Sequence, residues 1–205
     1  MIQRWFKHFV IDTFSSTLEV RWIIRSSLFL LLCPLCLIYA QQEKIIEDLI
    51  SQLTIQEKIA MCHAQSKFTS PGVPRLGIPE LWMTDGPHGV RPEINWGDWG
   101  YANWTNDFVT AFPALTCLAA TFSPELSLEY GTSIGEEARY RKKDILLGPG
   151  VNIYRTPLNG RNFEYMGEDP YLASVLVVPY IKGVQKNAVA ACVKHYALNN
   201  QELWR

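Results

Sequence analysis

From Gln41 onward the apolar positions fall into two rhythms. Residues 41–66 carry apolar side chains at helical spacing, in two pieces. Thr54 with Glu57 three residues later, in "LTIQEKIAM", matches a helix start whose side chains satisfy two backbone donors reciprocally. A further helix is expected after Ser123-Pro124-Glu125, with serine as N-cap and proline in the first turn; it sets Leu126, Tyr130, Ile134 and Ala138 on one stripe. Another follows Asp169-Pro170 and runs to about Asn187, with Leu172, Leu176, Tyr180 and Val184 on one face and a kink expected at Pro179. Short unbroken apolar runs separate these stretches. "ELWMTDG", "ALTCLAATF", "DILLGPG" and "AVAACVKH" read as strands, and they lack alternation, as strands buried on both faces do.

Strands alternating with helices imply parallel pairing with crossover helices, hence an α/β fold. A doubly wound sheet and a (β/α)8 barrel both fit this order, and periodicity does not choose between them. The polar residues add a constraint. Asp85, Arg155, Arg161, Lys194 and His195 all fall at or just beyond the C-terminal ends of expected strands. In a (β/α)8 barrel those ends surround one mouth, where the chemistry occurs. A long aromatic loop lies between the first of these strands and Pro113, and no internal repeat or low-complexity tract interrupts the order.

Composition narrows the function classes. The 205 residues carry a formal net charge of −1 with no extended Lys/Arg run, which argues against a nucleic-acid surface or an electrostatic membrane patch. The first forty residues read differently from the rest. Arg21 and Arg25 precede "SSLFLLLCPLCLIYA", followed by polar "QQEK". A positive flank, a short apolar core and a small residue describe a secretory signal, so cleavage is expected near Ala40, with a secreted or periplasmic product. The run is shorter than the ~20 apolar residues a spanning helix requires, although an uncleaved anchor is the alternative. Residues 41–205 then form the domain of interest. Cys33 and Cys36 would leave with the signal. Cys62, Cys117 and Cys192 are widely spaced, with neither a disulfide framework nor zinc-ligand spacing, and read as small buried apolar residues.

The candidate chemistry lies in three segments. In "MTDGPHGVRPE", Asp85 ends a strand and Gly86-Pro87 forces a turn that presents its carboxylate. A carboxylate accepts from two neighbouring hydroxyls at once, which suits a sugar; it also suits a turn cap. Arg91 stands close enough to neutralise Asp85 or to reach the same ligand. In "TPLNGRNFEYMGEDPYLAS", Arg161 offers five fixed donors and keeps its charge, either for a ligand or for an ion pair with Glu164 or Glu168. Glu168 and Asp169 suit the entry of the following helix, at the positive end of its dipole. Lys194 and His195 end an apolar strand, where an ammonium and an imidazole are costly to bury without partners. They should face a polar cavity, unless one of them turns toward helix packing. Trp96, Trp99, Tyr101 and Trp104 could stack on sugar faces or cover the barrel and one another. Asn103-Trp104-Thr105 fits a glycosylation acceptor. No Gly-rich phosphate loop follows any expected strand, which disfavours a doubly wound cofactor enzyme.

Taken together, "MTDGPHGVR", "GPGVNIYRTPLNGRNFEYMGEDPYLAS" and "ACVKHYALNNQE" resemble the N-terminal catalytic domain of glycoside hydrolase family 3, chiefly its β-glucosidases. The resemblance covers roughly residues 43–205. It implies a (β/α)8 TIM-barrel-like domain, here partial, and exo-acting removal of a terminal non-reducing β-D-glucosyl residue with retention of configuration. It implies an oligosaccharide or β-glucoside as substrate, with no cofactor and no metal. Asp85, Arg91, Arg161, Lys194 and His195 would surround the terminal sugar. The Asp in DGPHG favours a glucosidase over the family's β-xylosidases, and the His-Asp motif of its N-acetylglucosaminidases is not visible.

One departure matters more than any match. Retaining hydrolysis needs a nucleophile and an acid/base about 5 Å apart. In this family both lie farther along the polypeptide, so the resemblance places them beyond Arg205, in a missing C-terminal part of the same polypeptide. Asp85 matches a binding position and does not fill the gap. The 205-residue chain is therefore expected to be inactive alone, holding part of the pocket of a longer hydrolase. A non-catalytic carbohydrate-binding module is the competing class.

Overall fold

A computed structural model describes residues 41–104 and 107–203; the expected signal region and Thr105 of the glycosylation motif lie outside the described residues. The chain divides into two compact units at Thr54/Ile55. In the first, residues 41–52 form helix α1, with Ile45, Ile46 and Ile50 exposed. None of the helices among the described residues is long and apolar enough to cross a membrane.

The second unit opens with helix α2 (Ile55–Met61), which begins directly after Thr54 as expected. Strands β1 (Thr69–Ser70), β2 (Leu81–Asp85), β3 (Ile145–Leu147) and β4 (Ala190–Ala191) then form one sheet in the order β1-β2-β3-β4. β2, β3 and β4 run parallel, with Asp85 opposite Leu147 and Leu146 opposite Ala191. The α/β expectation holds. β1 is an antiparallel addition, pairing Thr69 with Trp82, and nothing in the hydrophobic rhythm announced so short a strand.

Between β2 and β3 lie helices α3 (Leu115–Ala119) and α4 (Pro124–Tyr140); between β3 and β4 lies α5 (Pro170–Gln185). Two helix starts follow from local chemistry. Ser123 accepts a hydrogen bond from the Leu126 amide, Asp169 accepts one from the Tyr171 amide, and a proline occupies the first turn of each helix. α5 continues through Pro179. The strand expected in "ALTCLAATF" is instead α3. Leu115, Leu118 and Ala119 are buried while Thr116 and Cys117 face outward, a three-and-four spacing that a short apolar run conceals.

These helices make the core. Tyr130, Ile134 and Ala138 of α4 pack with Leu176, Tyr180 and Val184 of α5, over Leu146 in the central strand β3. Leu126 falls outside the expected stripe, at 46% exposed, and Ser127 takes the buried position, donating to the Leu176 carbonyl at 2.7 Å. The helices approach closely: a Cβ on Gly131 would lie 2.1 Å from the Tyr180 carbonyl oxygen. Burial raises the pKa of both Tyr130 and Tyr180, so each keeps its proton and donates, Tyr130 to the Pro113 carbonyl at 2.7 Å and Tyr180 to the Pro87 carbonyl at 2.6 Å. The second bond ties α5 to the turn after β2. The three described cysteines are free but exposed, contrary to their reading as buried apolar residues. Cys117 faces out from α3, and Cys192 follows β4, whose one neighbour among the described residues is β3.

Candidate functional site

The site forms where β2, β3 and β4 end. Asp85 is the last residue of β2, and the chain turns at once through Gly86, whose φ of 118° and whose distance of 1.8 Å from a built Cβ to the Gly89 carbonyl oxygen exclude a side chain. The Gly86 amide donates to Asp85 Oδ1 at 2.9 Å, while the Asp85 carbonyl accepts from the Arg91 amide at 3.1 Å. Asp85 thus caps its turn and still presents its carboxylate.

Parallel pairing resumes beyond β3 and β4, where Lys194 bridges to Gly150, its amide donating to the Pro149 carbonyl at 3.0 Å. Asn152 grips the next residue twice: its Nδ2 donates to the His195 carbonyl at 3.1 Å and its Oδ1 accepts from the His195 amide at 2.8 Å. The Lys194–His195 peptide bond is cis. Arg161 precedes a 3-10 turn (Asn162–Glu164) in the loop after β3. That loop is tied together by the Tyr154 hydroxyl, in contact with Thr116 and with the carbonyls of Asn162 and Tyr165.

These separate segments place their charges side by side. Lys194 Nζ donates to Asp85 Oδ1 at 2.7 Å and lies 3.2 Å from Glu164 Oε2. Glu164 in turn accepts from Arg161 through two parallel bonds of 2.8 Å, one from Nε and one from Nη2. Arg161 Nη2 also lies 2.9 Å from His195 Nε2. His195 Nδ1 lies 2.9 Å from the Tyr165 hydroxyl, which accepts from Asn199 as well. Four of the five expected residues therefore share one continuous network. The fifth, Arg91, lines a hollow of about 140 Å³ together with Asp85, His88 and Glu164. Its guanidinium packs 5.8 Å from the Phe68 ring and 5.5 Å from the Trp99 ring. Arg155 is exposed.

Electrostatics fixes the protonation of this cluster. Burial raises the pKa of Asp85, but the hydrogen bond and charge of Lys194 outweigh it and hold the carboxyl below its ordinary range. Burial likewise opposes ionisation of Glu164, and Arg161 and Lys194 overcome it, so that carboxyl too is held down. The Glu164 bond raises the Arg161 pKa further. Two carboxylates and two fixed cations result. Such a cluster can accept from and donate to the hydroxyls of a neutral polyol, and neither carboxyl holds a proton to give at neutral pH.

Arg161 forms the expected ion pair with Glu164, not with Glu168, and also faces His195. Glu164, the hub of the network, was visible only as an ion-pair candidate; a glutamate three residues after an arginine does not announce a second cation from a distant strand. Tyr165, Asn152 and Asn199 were not singled out. Trp96, Trp99, Tyr101 and Trp104 are 54–60% exposed, Trp96 beside Trp82 and Trp99 beside Phe68. A larger hollow, of about 570 Å³, lies elsewhere, between Trp82, Trp104 and Tyr140; Arg141 and Lys143 at its wall are already paired with Asp107 and Glu93. Among the described residues there is no group of three or more His, Cys, Asp or Glu arranged to hold a metal ion.

Fold and site define an α/β protein with a charged, hydroxyl-compatible cluster at the C-terminal ends of its parallel strands. The profile of the glycosyl hydrolase family 3 N-terminal domain matches residues 40–201. The chain belongs to that family. It is 76% identical over 160 residues to beta-glucosidase BoGH3A of Bacteroides ovatus, covering 78% of this chain and 21% of that protein. It is 39% identical over 154 residues to an exo-alpha-(1->6)-L-arabinopyranosidase of Bifidobacterium longum, covering 75% of this chain and 20% of that protein. Among solved structures, beta-glucosidase 3B from Thermotoga neapolitana in complex with glucose aligns with a TM-score of 0.68 at 38% identity, over 78% of this chain and 24% of that one. The fold is thus the partial (β/α)8-barrel type. The chain spans about a fifth of the length of the curated relatives it matches.

Proposed function

We propose that this chain supplies the sugar-gripping part of a retaining β-glucosidase, which releases terminal non-reducing β-D-glucosyl residues from oligosaccharides or glycosides. One observation carries the reading: Asp85, Glu164, Arg161, Lys194 and His195, from three separated segments, form a single contact network at the strand ends. In this reading Asp85 accepts from two adjacent hydroxyls of the terminal sugar. Lys194, Arg161, Arg91 and His195 hold its other oxygens. Ion pairing leaves Asp85 and Glu164 unsuited to protonate a leaving group, so in this reading the acid/base belongs to the remainder of the protein; the nucleophile is assigned there too because Asp85 matches a binding position of the family. The 205 residues alone hold part of the sugar pocket and are inactive in this reading.

The test is hydrolysis of an aryl β-glucoside by the full-length protein and by the 205-residue chain. Turnover by the first and none by the second is expected; turnover by the short chain would overturn the assignment of the missing carboxyls. The arabinopyranosidase relative supports a second reading, in which the same cluster grips a different terminal pyranose. Aryl β-xyloside and aryl α-L-arabinopyranoside assayed beside the glucoside separate the two. We also propose export, with cleavage near Ala40; the family match begins at residue 40.

A further inference from the structure

The hydrogen-bonding partners of His195 dictate its tautomer. A guanidinium donates and never accepts, so His195 Nε2, 2.9 Å from Arg161 Nη2, must present its lone pair there. An imidazole that accepts at Nε2 is neutral and carries its hydrogen on Nδ1. That hydrogen points at the Tyr165 hydroxyl, 2.9 Å away. Tyr165 is 1% exposed, and its ring stands edge-on to the imidazole at 5.9 Å and 87°. Its oxygen also receives the Asn199 side-chain amide, so two donors converge on a phenol that burial keeps protonated.

We infer that Tyr165, oriented by Asn199, is a positioning residue that holds His195 as the Nδ1–H tautomer and thereby aims the Arg161 guanidinium. The consequence falls on the sugar. Nε and Nη2 of Arg161 are committed to Glu164 and His195, which leaves the two hydrogens of Nη1 outside these contacts and, on the sugar-pocket reading, available to ligand hydroxyls. With the other tautomer, a donor would face a donor. Arg161 would then keep only its carboxylate partners, Glu164 and, at 3.9 Å from Nε, Glu202, and the fork would be free to tilt about them.

The inference deepens the sugar-pocket reading and rests on it for its kinetic part. Neutron diffraction from deuterium-exchanged crystals of the full-length protein reads the tautomer directly. Deuterium on His195 Nδ1 and none on Nε2 is expected; deuterium on Nε2 in the unaltered protein would overturn the inference. In Tyr165→Phe, which keeps the ring and removes the acceptor, Nε2 should gain occupancy. KM for the aryl glycoside should rise about tenfold with kcat changed less than threefold, the size of one lost hydrogen bond to the bound sugar. An unchanged tautomer and unchanged KM in Tyr165→Phe would also overturn it. If no glycoside is turned over at all, the proposed function fails, and the neutron result still decides the role of Tyr165.

Discussion

At the scale of single residues, each pocket side chain is defined by what holds it. Lys194 meets two carboxylates from different segments, so Lys194→Ala leaves Asp85 and Glu164 short of a cation and removes a donor to the sugar. We expect kcat/KM of the full-length protein to fall at least tenfold on an aryl β-glucoside, and likewise for Arg161→Ala; wild-type kinetics in either would return that residue to a structural role. Glu164→Gln keeps the shape but takes the charge from between two cations. Breaking a buried pair on one side costs about 3 kcal/mol, which a urea unfolding midpoint would register with an unchanged slope. Asp85, Arg161, Lys194 and His195 were legible as candidates because charged groups at the ends of apolar strands need partners. Glu164 and Tyr165 were not singled out for the site. Their importance lies in which distant cation or imidazole reaches them, and spacing along the chain carries no record of that.

At the scale of elements, the two long helices were readable because their starts are chemical. Ser123-Pro124 and Asp169-Pro170 satisfy or omit the backbone donors that a helix leaves open. α3 was not readable. Five residues of helix and a strand of the same length bury similar apolar runs, and only the neighbours around Leu115 and Leu118 choose between them. The α4–α5 contact makes a sharp prediction. Gly131→Ala puts a methyl group against the Tyr180 carbonyl and should cost about 3 kcal/mol through forced separation of the helices. Gly97→Ala meets nothing within 4 Å and should change stability by less than about 0.5 kcal/mol. Denaturant titration of the two variants side by side measures the contrast.

At the scale of the whole molecule, the cluster links folding to pH. Asp85 and Glu164 both have folded-state pKa values below their unfolded ones. Their contribution to stability is therefore complete above the unfolded carboxylate range, about pH 4, and is lost as pH falls through the folded values. Thermal midpoints should hold steady near neutrality and drop below about pH 4, and Asp85→Asn should flatten that acid limb. A wild-type midpoint indifferent to acid would mean that the ion pairs do not link folding to protonation. The sequence by itself determined the helix starts, the α/β order and the candidate polar residues, because caps, apolar spacing and uncompensated charge act over a few residues. Only the tertiary structure decided that Lys194 meets Asp85 across 109 positions and that Glu164 joins two cations. It also decided that His195 must accept from Arg161. Those outcomes depend on parallel strands bringing distant ends together, and a charge pairs with whatever lies beside it in space.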